Sequence, residues 1–182
     1  MSERTIIMDD AIIKRTIVRM ANDILEKNNG TDNLCIVGIR TRGVYLADRI
    51  AEYIEKAENC TIPKGILDIT FHRDDLGFND SLPEIKQSDI PFDVNGKIIL
   101  LVDDVLYTGR TIRAAIETVM DYGRPKKIRL AVLIDRGHRD LPICADYTGK
   151  SIPTSKDEAV SVSLREHDGK DCVEIYKINK KG

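Results

Sequence analysis

The stretch that decides the fold reads Ile98-Ile99-Leu100-Leu101-Val102-Asp103-Asp104-Val105-Leu106-Tyr107-Thr108-Gly109-Arg110-Thr111. Its apolar first half predicts a buried β-strand, which leads into two adjacent carboxylates and then a Thr/Gly/Thr loop. A helix is predicted to follow, from about Arg110 to Tyr122, because apolar residues recur at helical spacing there. Ligands of open α/β sheets bind at the carboxyl ends of such strands. A sugar phosphate suits this site, with hydroxyls for the acids and a phosphate for the loop.

The flanking sequence alternates between predicted helices and predicted strands. Helices are predicted from Asp9 or Asp10 to Gly30 and from about Val44 to Lys56. Strands are predicted at Leu34 to Ile39, Gly65 to Phe71, 97–106, Lys127 to Asp135, Ser161–Glu166 and Cys172–Ile178, the last two joined by an Asp-Gly turn. This alternation predicts an α/β protein with an open, mainly parallel sheet flanked by helices.

Composition and charge narrow the possible functions. The chain has 182 residues, 42% hydrophobic and 32% charged, which is typical of one globular domain spanning 1–182. A net charge of −2 argues against a surface covered by nucleic acid, but it leaves a local basic patch open. No apolar run is long enough for a bilayer, and Met1-Ser2-Glu3-Arg4 lacks a signal-peptide pattern. We therefore expect a cytoplasmic protein without a membrane partner.

The segment from Asp103 to Thr111 has two interpretations from its residues alone. Adjacent carboxylates accept hydrogen bonds from vicinal hydroxyls or hold Mg²⁺ through water, and backbone N–H groups at a helix start suit a phosphate. Alternatively, the acid pair is only a solvated strand end before a capped helix. The order of apolar strand, acids, Thr-Gly loop and helix favours the binding site. The loop is not of the G-x-x-x-x-G-K-[ST] type.

Three segments carry a resemblance to a known family. The segment from Val102 to Thr111 resembles the phosphoribosyl pyrophosphate (PRPP) motif of type I phosphoribosyltransferases. Together with Asp135-Arg136-Gly137-His138-Arg139 and Ile152-Pro153-Thr154-Ser155-Lys156, it is similar to the bifunctional PyrR family of pyrimidine operon regulators and uracil phosphoribosyltransferases. The likeness extends over essentially the whole chain. It implies the type I phosphoribosyltransferase fold with a small hood and a flexible loop, assembled as a homodimer or a higher homo-oligomer.

The resemblance also implies which residues bind PRPP. Asp103 and Asp104 would hold the ribose hydroxyls and act in catalysis with Arg73, which lies in the loop 71–76 that closes over PRPP. The remaining PRPP and nucleotide contacts are Arg40, Thr41, Arg42 and Gly43 as the pyrophosphate loop, Val105, Leu106 and Tyr107, and the 5′-phosphate loop of Thr108, Gly109, Arg110 and Thr111. Two guanidiniums beside a hydroxyl suit a polyanion, which agrees with the role of the first loop.

The implied reaction joins uracil to PRPP and yields UMP and diphosphate, with Mg²⁺ held mostly through PRPP. Uracil would lie between the loop 135–139 and a hood built from about 142–160, next to Arg136 and the backbone near Val160. Asp146 is a candidate second ligand of Mg²⁺. The purine enzymes of this class have an aspartate at the position of Tyr107, and a phenol is a poor general base at neutral pH. The sequence leaves open how uracil loses its proton.

The second role that the resemblance implies is binding of a pyr mRNA leader hairpin, with UMP or UTP as the bound nucleotide, to promote transcription attenuation. Candidate RNA contacts are Lys14, Arg15, Arg19, His138, Arg139, Lys150 and Lys156. The cations of the first helix alternatively form only its solvated face. Val18, Asn22 and Cys144 replace expected polar or basic residues. Two alternatives therefore stay open: a PRPP- or nucleotide-sensing regulator with little or no transferase activity, and a transferase that does not bind RNA.

Overall fold

Helices and strands alternate along the chain much as the sequence predicts. The computed structural model describes residues 4–69 and 88–178. Its elements in chain order are β1 (Arg4–Asp9), α1 (Asp10–Asn28), β2 (Leu34–Ile39), α2 (Arg42–Glu58), β3 (Lys64–Leu67), β4 (Ile98–Leu106), α3 (Arg110–Asp121), β5 (Lys127–Asp135), β6 (Tyr147–Ser151), β7 (Glu158–Ser163), α4 (Arg165–Asp168) and β8 (Cys172–Lys177). Within the described ranges, no helix is long and apolar enough to cross a membrane.

A parallel sheet of five strands in the order β3-β2-β4-β5-β6 forms the centre of the fold. The apolar run of β4 lies in its middle and is buried on both faces, as a strand between two helical layers must be. Leu100 and Val102 pack with α1 and α2 on one face. Ile99 and Leu101 pack with α3 on the other face. The predicted open sheet flanked by helices is therefore confirmed.

The hood differs from the expected one. Residues 142–160 were expected to build it, but Tyr147–Ser151 is instead the edge strand of the central sheet, where it pairs in parallel with β5 and buries Tyr147. A second, antiparallel sheet in the order β1-β8-β7 forms the hood and brings the two ends of the chain together. Only β7 comes from the expected region. The prediction failed because Tyr147-Thr148-Gly149-Lys150-Ser151 is short and mostly polar, whereas its partner strand is apolar.

Two predicted boundaries also shift. The strand predicted from Gly65 to Phe71 ends at Leu67, and Phe71 lies outside the described residues. The hairpin predicted in the tail exists, since β7 and β8 pair antiparallel, but the single helical turn α4 connects them. Gly169 follows that turn with φ 75°, so the Asp-Gly pair ends a helix instead of forming a two-residue turn.

The first turn of α2 lies directly against β4 because a glycine stands at the contact. A Cβ atom on Gly43 would lie 2.4 Å from the carbonyl oxygen of Val102 and 3.2 Å from the Cα atom of Asp103. Backbone atoms on both sides fix this spacing, so no flexible side chain can move away. Gly43 therefore sets how closely the loop after β2 approaches the acids of β4.

We expect Gly43→Ala to lower the free energy of unfolding by about 2–3 kcal/mol, because the added methyl group overlaps backbone. For a chain of this size that corresponds to a fall in Tm of about 5–10 °C in thermal unfolding. Gly65→Ala is the matched control, since its Cβ atom would meet Asp89 O at 3.2 Å and Ile90 Cγ1 at 3.3 Å. Equal effects of the two substitutions would contradict this account of the contact.

Candidate active site

A cavity of about 610 Å³ opens at the carboxyl ends of β2, β4 and β5, beneath the hood strand β7. Its walls are formed by Arg40, Thr41, Arg42, Asp103, Asp104, Val105, Leu106, Tyr107, Thr108, Gly109, Arg110, Thr111, Ile112, Arg136 and Val160. The structure thus brings together the PRPP and nucleotide residues predicted from the sequence. Gly43 is the exception, because it lies under the cavity as packing. Arg73 lies outside the described residues.

The two acids lie at the end of β4, where the strand leaves the core. Asp103 is only 6% exposed, and its Oδ1 accepts the backbone N–H of Asp104 at 2.9 Å. Asp104 Oδ1 accepts the backbone N–H of Val105, also at 2.9 Å. Burial raises the pKa of Asp104, while the hydrogen bonds from Asp103 and Val105 and the charge of Arg42 oppose that rise. The carboxylate oxygens in the cavity are therefore poorly hydrated. A hydrogen bond from a ligand hydroxyl, or a bound cation, would stabilise their charge.

The amino end of α3 forms the second wall. Gly109 precedes the helix with φ 92° and has no side chain to cap it, although Thr108 Oγ1 accepts the backbone N–H of Arg110 at 3.4 Å. Two backbone hydrogen bonds fix the loop before this helix, because Thr108 O accepts the N–H groups of Asp140 at 3.0 Å and Leu141 at 3.1 Å. An uncapped helix start presents unsatisfied N–H groups and the positive end of the helix dipole. This wall can hold a phosphate, as the sequence predicted.

Two arginines follow β2 on the other side of the acids, and both are partly engaged. The Arg40 backbone N–H donates to Leu67 O at 2.9 Å, while Arg40 Nε lies 3.7 Å from Asp68 Oδ2. Arg42 forms a two-point ion pair with Asp168 of the hood, from Nε at 3.0 Å and from Nη2 at 2.8 Å. Sequence reasoning missed Asp168, because nothing local marks a carboxylate that pairs 126 residues away.

The third wall joins the loop after β5 to the hood. Arg136 is 7% exposed, and its guanidinium lies 4.0 Å above the ring of Tyr107. Its Nε donates to Thr154 Oγ1 at 3.2 Å, and its Nη2 donates to Glu158 O at 2.6 Å. These contacts fix the guanidinium inside the cavity wall, and sequence analysis did not assign Thr154 and Glu158 to the site.

Three predicted residues have other roles in the structure. Asp146 lies at the amino end of β6, away from the cavity, and its Oδ2 accepts the N–H of Leu130 at 2.9 Å. Arg139 donates to Tyr107 O, Gly137 O, Ile143 O and Asp135 Oδ2, so it holds its own loop and is no free surface cation. His138 Nε2 lies 2.5 Å from Thr154 O, which accepts its hydrogen bond. The last two residues thus support the third wall, and their assignment to RNA stays a prediction.

The remaining predicted RNA contacts are exposed cations. Lys14, Arg15 and Arg19 lie on α1, and Lys150 lies on the neighbouring edge strand β6. Arg19 Nη2 donates to Gly149 O at 2.6 Å, which joins the two groups into one surface beside Lys150. Lys156 is exposed on the loop between β6 and β7. The structure thus places three of the predicted cations on α1 and a fourth, Lys150, on the strand that Arg19 contacts.

The fold and the cavity define a class of protein that comparison identifies. Phosphoribosyl transferase domains match residues 4–167, and this chain belongs to that family. The hypoxanthine phosphoribosyltransferase of Trypanosoma cruzi superposes with a TM-score of 0.73 over 96% of this chain and 97% of that one, at 16% identity. The type I phosphoribosyltransferase fold expected from the sequence is therefore confirmed.

Closer relatives specify the family further. The "Bifunctional protein PyrR" of Pelotomaculum thermopropionicum is 56% identical over 175 residues, which cover 96% of this chain and 97% of the relative. The protein of the same name from Bacillus cereus is 52% identical over 178 residues, covering 97% and 99%. The chain accordingly belongs to the PyrR family of phosphoribosyltransferases, as the three sequence segments indicated.

The raised pKa of Asp104 predicts a stability effect with a defined sign. The folded protein binds this proton more tightly than the unfolded chain, so the buried carboxylate destabilises the fold once pH exceeds the ordinary range of an aspartate. We expect Asp104→Asn to raise Tm at pH 7.5 by about 2–4 °C, which corresponds to about 1 kcal/mol. The gain should shrink as pH falls toward about 4 and vanish below about pH 3, where the wild-type group is protonated in both states.

Asp32→Asn provides the control, because Asp32 is exposed and lies away from the cavity. That substitution should change stability by less than about 0.5 kcal/mol. Thermal unfolding of the ligand-free proteins at several pH values measures both effects. If the stabilisation by Asp104→Asn does not depend on pH, it does not arise from the charge of Asp104.

Proposed function

We propose that this protein transfers the 5-phosphoribosyl group of PRPP to uracil and releases UMP and diphosphate. One observation carries the proposal: a single cavity holds a carboxylate pair, an uncapped helix start and two arginines on separate walls. These groups match the ribose hydroxyls, the 5′-phosphate and the diphosphate of PRPP. The fixed guanidinium of Arg136 marks the remaining end of the cavity as the site of the base.

The residues act on different charges of the reaction. The bond from the ribose anomeric carbon to the diphosphate oxygen breaks, and a bond from that carbon to a uracil ring nitrogen forms. Arg40 and Arg42 stabilise the negative charge on the departing diphosphate. Asp103 and Asp104 lie on the opposite side, where their charge favours the cationic character that develops on the ribose. Oriented groups in a partly dehydrated cavity achieve this without rearrangement during the reaction.

The acid pair also fits Mg²⁺ bound to PRPP. Among the described residues no cluster of three or more His, Cys, Asp or Glu side chains forms a complete metal site. Asp103 and Asp104 nevertheless place hard oxygen ligands in the cavity, and Mg²⁺ commonly binds through one or two carboxylates plus substrate phosphates. When bound, the metal neutralises charge on the diphosphate. The proposed site does not include Asp146, which lies before the amino end of β6 and is not among the described residues that line the cavity.

A group other than Tyr107 must promote the loss of the uracil proton. The ring of Tyr107 is 39% exposed at the cavity and carries the guanidinium of Arg136 on its face. A nearby positive charge favours the deprotonated form of an acidic group. Arg136 therefore promotes ionisation of the bound uracil, whose ring N–H proton leaves to solvent water or to the departing diphosphate. Tyr107 supports Arg136 and is not the proton acceptor.

Replacing both acids tests the transferase. We expect Asp103→Asn with Asp104→Asn to lower formation of labelled UMP from uracil, PRPP and Mg²⁺ by at least about 100-fold, since removing one charge-stabilising group from an active site costs that much. Asp32→Asn makes the same type of substitution once, at an exposed site, and should retain full activity. The double variant should stay folded, because it removes buried charge. Undiminished UMP formation by that variant rules out the proposed role of the acids.

We also propose a second function, UMP-dependent binding of a pyr mRNA leader hairpin. The specific observation in its favour is that Arg19 of α1 donates to Gly149 O of β6 at 2.6 Å, next to the exposed Lys150, so that cations of two elements lie on adjoining surface. The relatives' name, "Bifunctional protein PyrR", agrees with two activities in one chain. Such a surface contacts RNA phosphates and leaves base recognition to other groups. The homodimer or higher assembly implied by the family stays a prediction as well.

Charge removal on the basic surface tests the RNA function. We expect Lys14→Gln and Lys150→Gln each to weaken binding of the leader hairpin severalfold and to reduce the salt dependence of log K by about 1, without loss of UMP synthesis. Lys126→Gln is the control, because Lys126 is exposed just before β5, at the opposite end of the sheet. Gel-shift titrations with and without UMP measure both properties. Equal effects of all three substitutions, or indifference to UMP, would argue against this function.

A further inference from the structure

We propose that Asp168 in the hood is a positioning residue that holds Arg42 in place for the diphosphate of PRPP. This inference rests on the proposed transferase function and adds to it a residue outside the cavity. Neither the sequence motifs nor the cavity lining includes Asp168. It enters the site only through its ion pair with Arg42, which connects the short helix α4 to the start of α2.

The geometry is that of a fixed support. Both carboxylate oxygens of Asp168 accept from Arg42, Oδ2 from Nε at 3.0 Å and Oδ1 from Nη2 at 2.8 Å. Asp168 Oδ2 also accepts the backbone N–H of Leu164 at 2.8 Å, so the carboxylate itself is anchored within the hood. Its side chain is only 19% exposed. Parallel two-point pairing of this kind fixes both the position and the plane of a guanidinium.

The pair leaves Arg42 able to bind a ligand. A guanidinium has five N–H donors, and this pair uses only those of Nε and one of Nη2. Arg42 lines the cavity, whereas Asp168, in the described structure, does not, so the negative charge lies behind the guanidinium as seen from the ligand. A long side chain ordered in advance loses less conformational entropy on binding. The favourable effect of a fixed orientation on diphosphate binding therefore outweighs the loss that comes from partial neutralisation of Arg42 by Asp168.

The charges of the pair persist at neutral pH. The hydrogen bond from Arg42 lowers the pKa of Asp168, and the N–H of Leu164 and the charge of His167 act in the same direction. The same hydrogen bond raises the pKa of Arg42. Both groups are therefore ionised wherever the enzyme operates, and the support is permanent.

Helix α4 offers a matched control on the same turn. Glu166 pairs with Arg49 of α2 at 2.7 Å, much as Asp168 pairs with Arg42. Arg49 also pairs with Asp171, and in the described structure it is not among the residues that line the cavity. Glu166→Gln therefore removes the same charge and loosens a comparable contact between hood and core without affecting Arg42.

The experiment compares Asp168→Asn with Glu166→Gln in steady-state kinetics and in calorimetric binding of magnesium diphosphate and of UMP. Asparagine keeps the volume of the side chain and one accepting oxygen. We expect Asp168→Asn to raise both the KM for PRPP and the Kd for diphosphate about tenfold, since a misplaced binding group costs at least this much. The KM for uracil and the Kd for UMP, which carries no diphosphate, should stay within twofold. Glu166→Gln should leave all four constants unchanged.

A double-mutant cycle separates positioning from general damage. In an Arg42→Ala background, Asp168→Asn should have no further effect on diphosphate binding. An unchanged or lower Kd for diphosphate in Asp168→Asn, an equal loss of UMP binding, or an undiminished effect without Arg42 would each overturn the inference. Diphosphate binding requires no turnover, so it tests Asp168 even if the wild-type protein fails to make UMP. If the wild-type protein makes no UMP, the proposed transferase function is contradicted, but the role of Asp168 in diphosphate binding is not.

Discussion

A buried and a half-buried carboxylate, adjacent at the end of the central strand, are the constraint on which the rest of the structure depends. Moving a carboxylate out of water costs free energy unless hydrogen bonds or opposite charges compensate for it. Here backbone N–H groups and the charge of Arg42 compensate in part, and the pKa of Asp104 is raised nonetheless. The ligand-free protein thus keeps a destabilised group at the point where we propose that a sugar and a cation bind. The rigid parallel sheet allows this, because its apolar layers supply the stability that the site lacks.

The hood contributes to both ends of the cavity. Beside the wall proposed for the diphosphate, Asp168 of α4 holds Arg42. Beside the wall proposed for the base, Thr154 and Glu158 hold Arg136 against Tyr107. Both guanidiniums are therefore oriented by residues of β7, of the loop before it or of the short helix after it.

Local patterns predicted much of the fold and of the site. The apolar runs from Leu34 to Ile39 and from Ile98 to Val102 predicted strands close to the observed ones, because a strand between two helical layers buries both of its faces. Asp9 caps α1 as expected, with its side chain accepting from Ile12 N at 2.8 Å. The acids, the phosphate loop and both arginines after β2 also came together as predicted. All of these features depend on neighbouring residues in the chain.

The remaining features depend on contacts between distant residues. The polar strand β6 is recognisable only through its pairing with β5, so its sequence resembled a loop. Arg139 was taken for a surface cation because nothing local shows that carbonyl groups surround it. Asp168 belongs to the site only through a partner at the other end of the fold. A pattern of hydrophobic spacing contains no information on such pairs.

The most direct test of the central claim is a crystal structure of the protein with PRPP and Mg²⁺. The claim predicts ribose hydroxyls at Asp103 and Asp104, the 5′-phosphate at the amino end of α3, and the diphosphate against Arg42, with the Arg42–Asp168 pair intact. A diphosphate bound at the helix start, or PRPP bound outside this cavity, would contradict it.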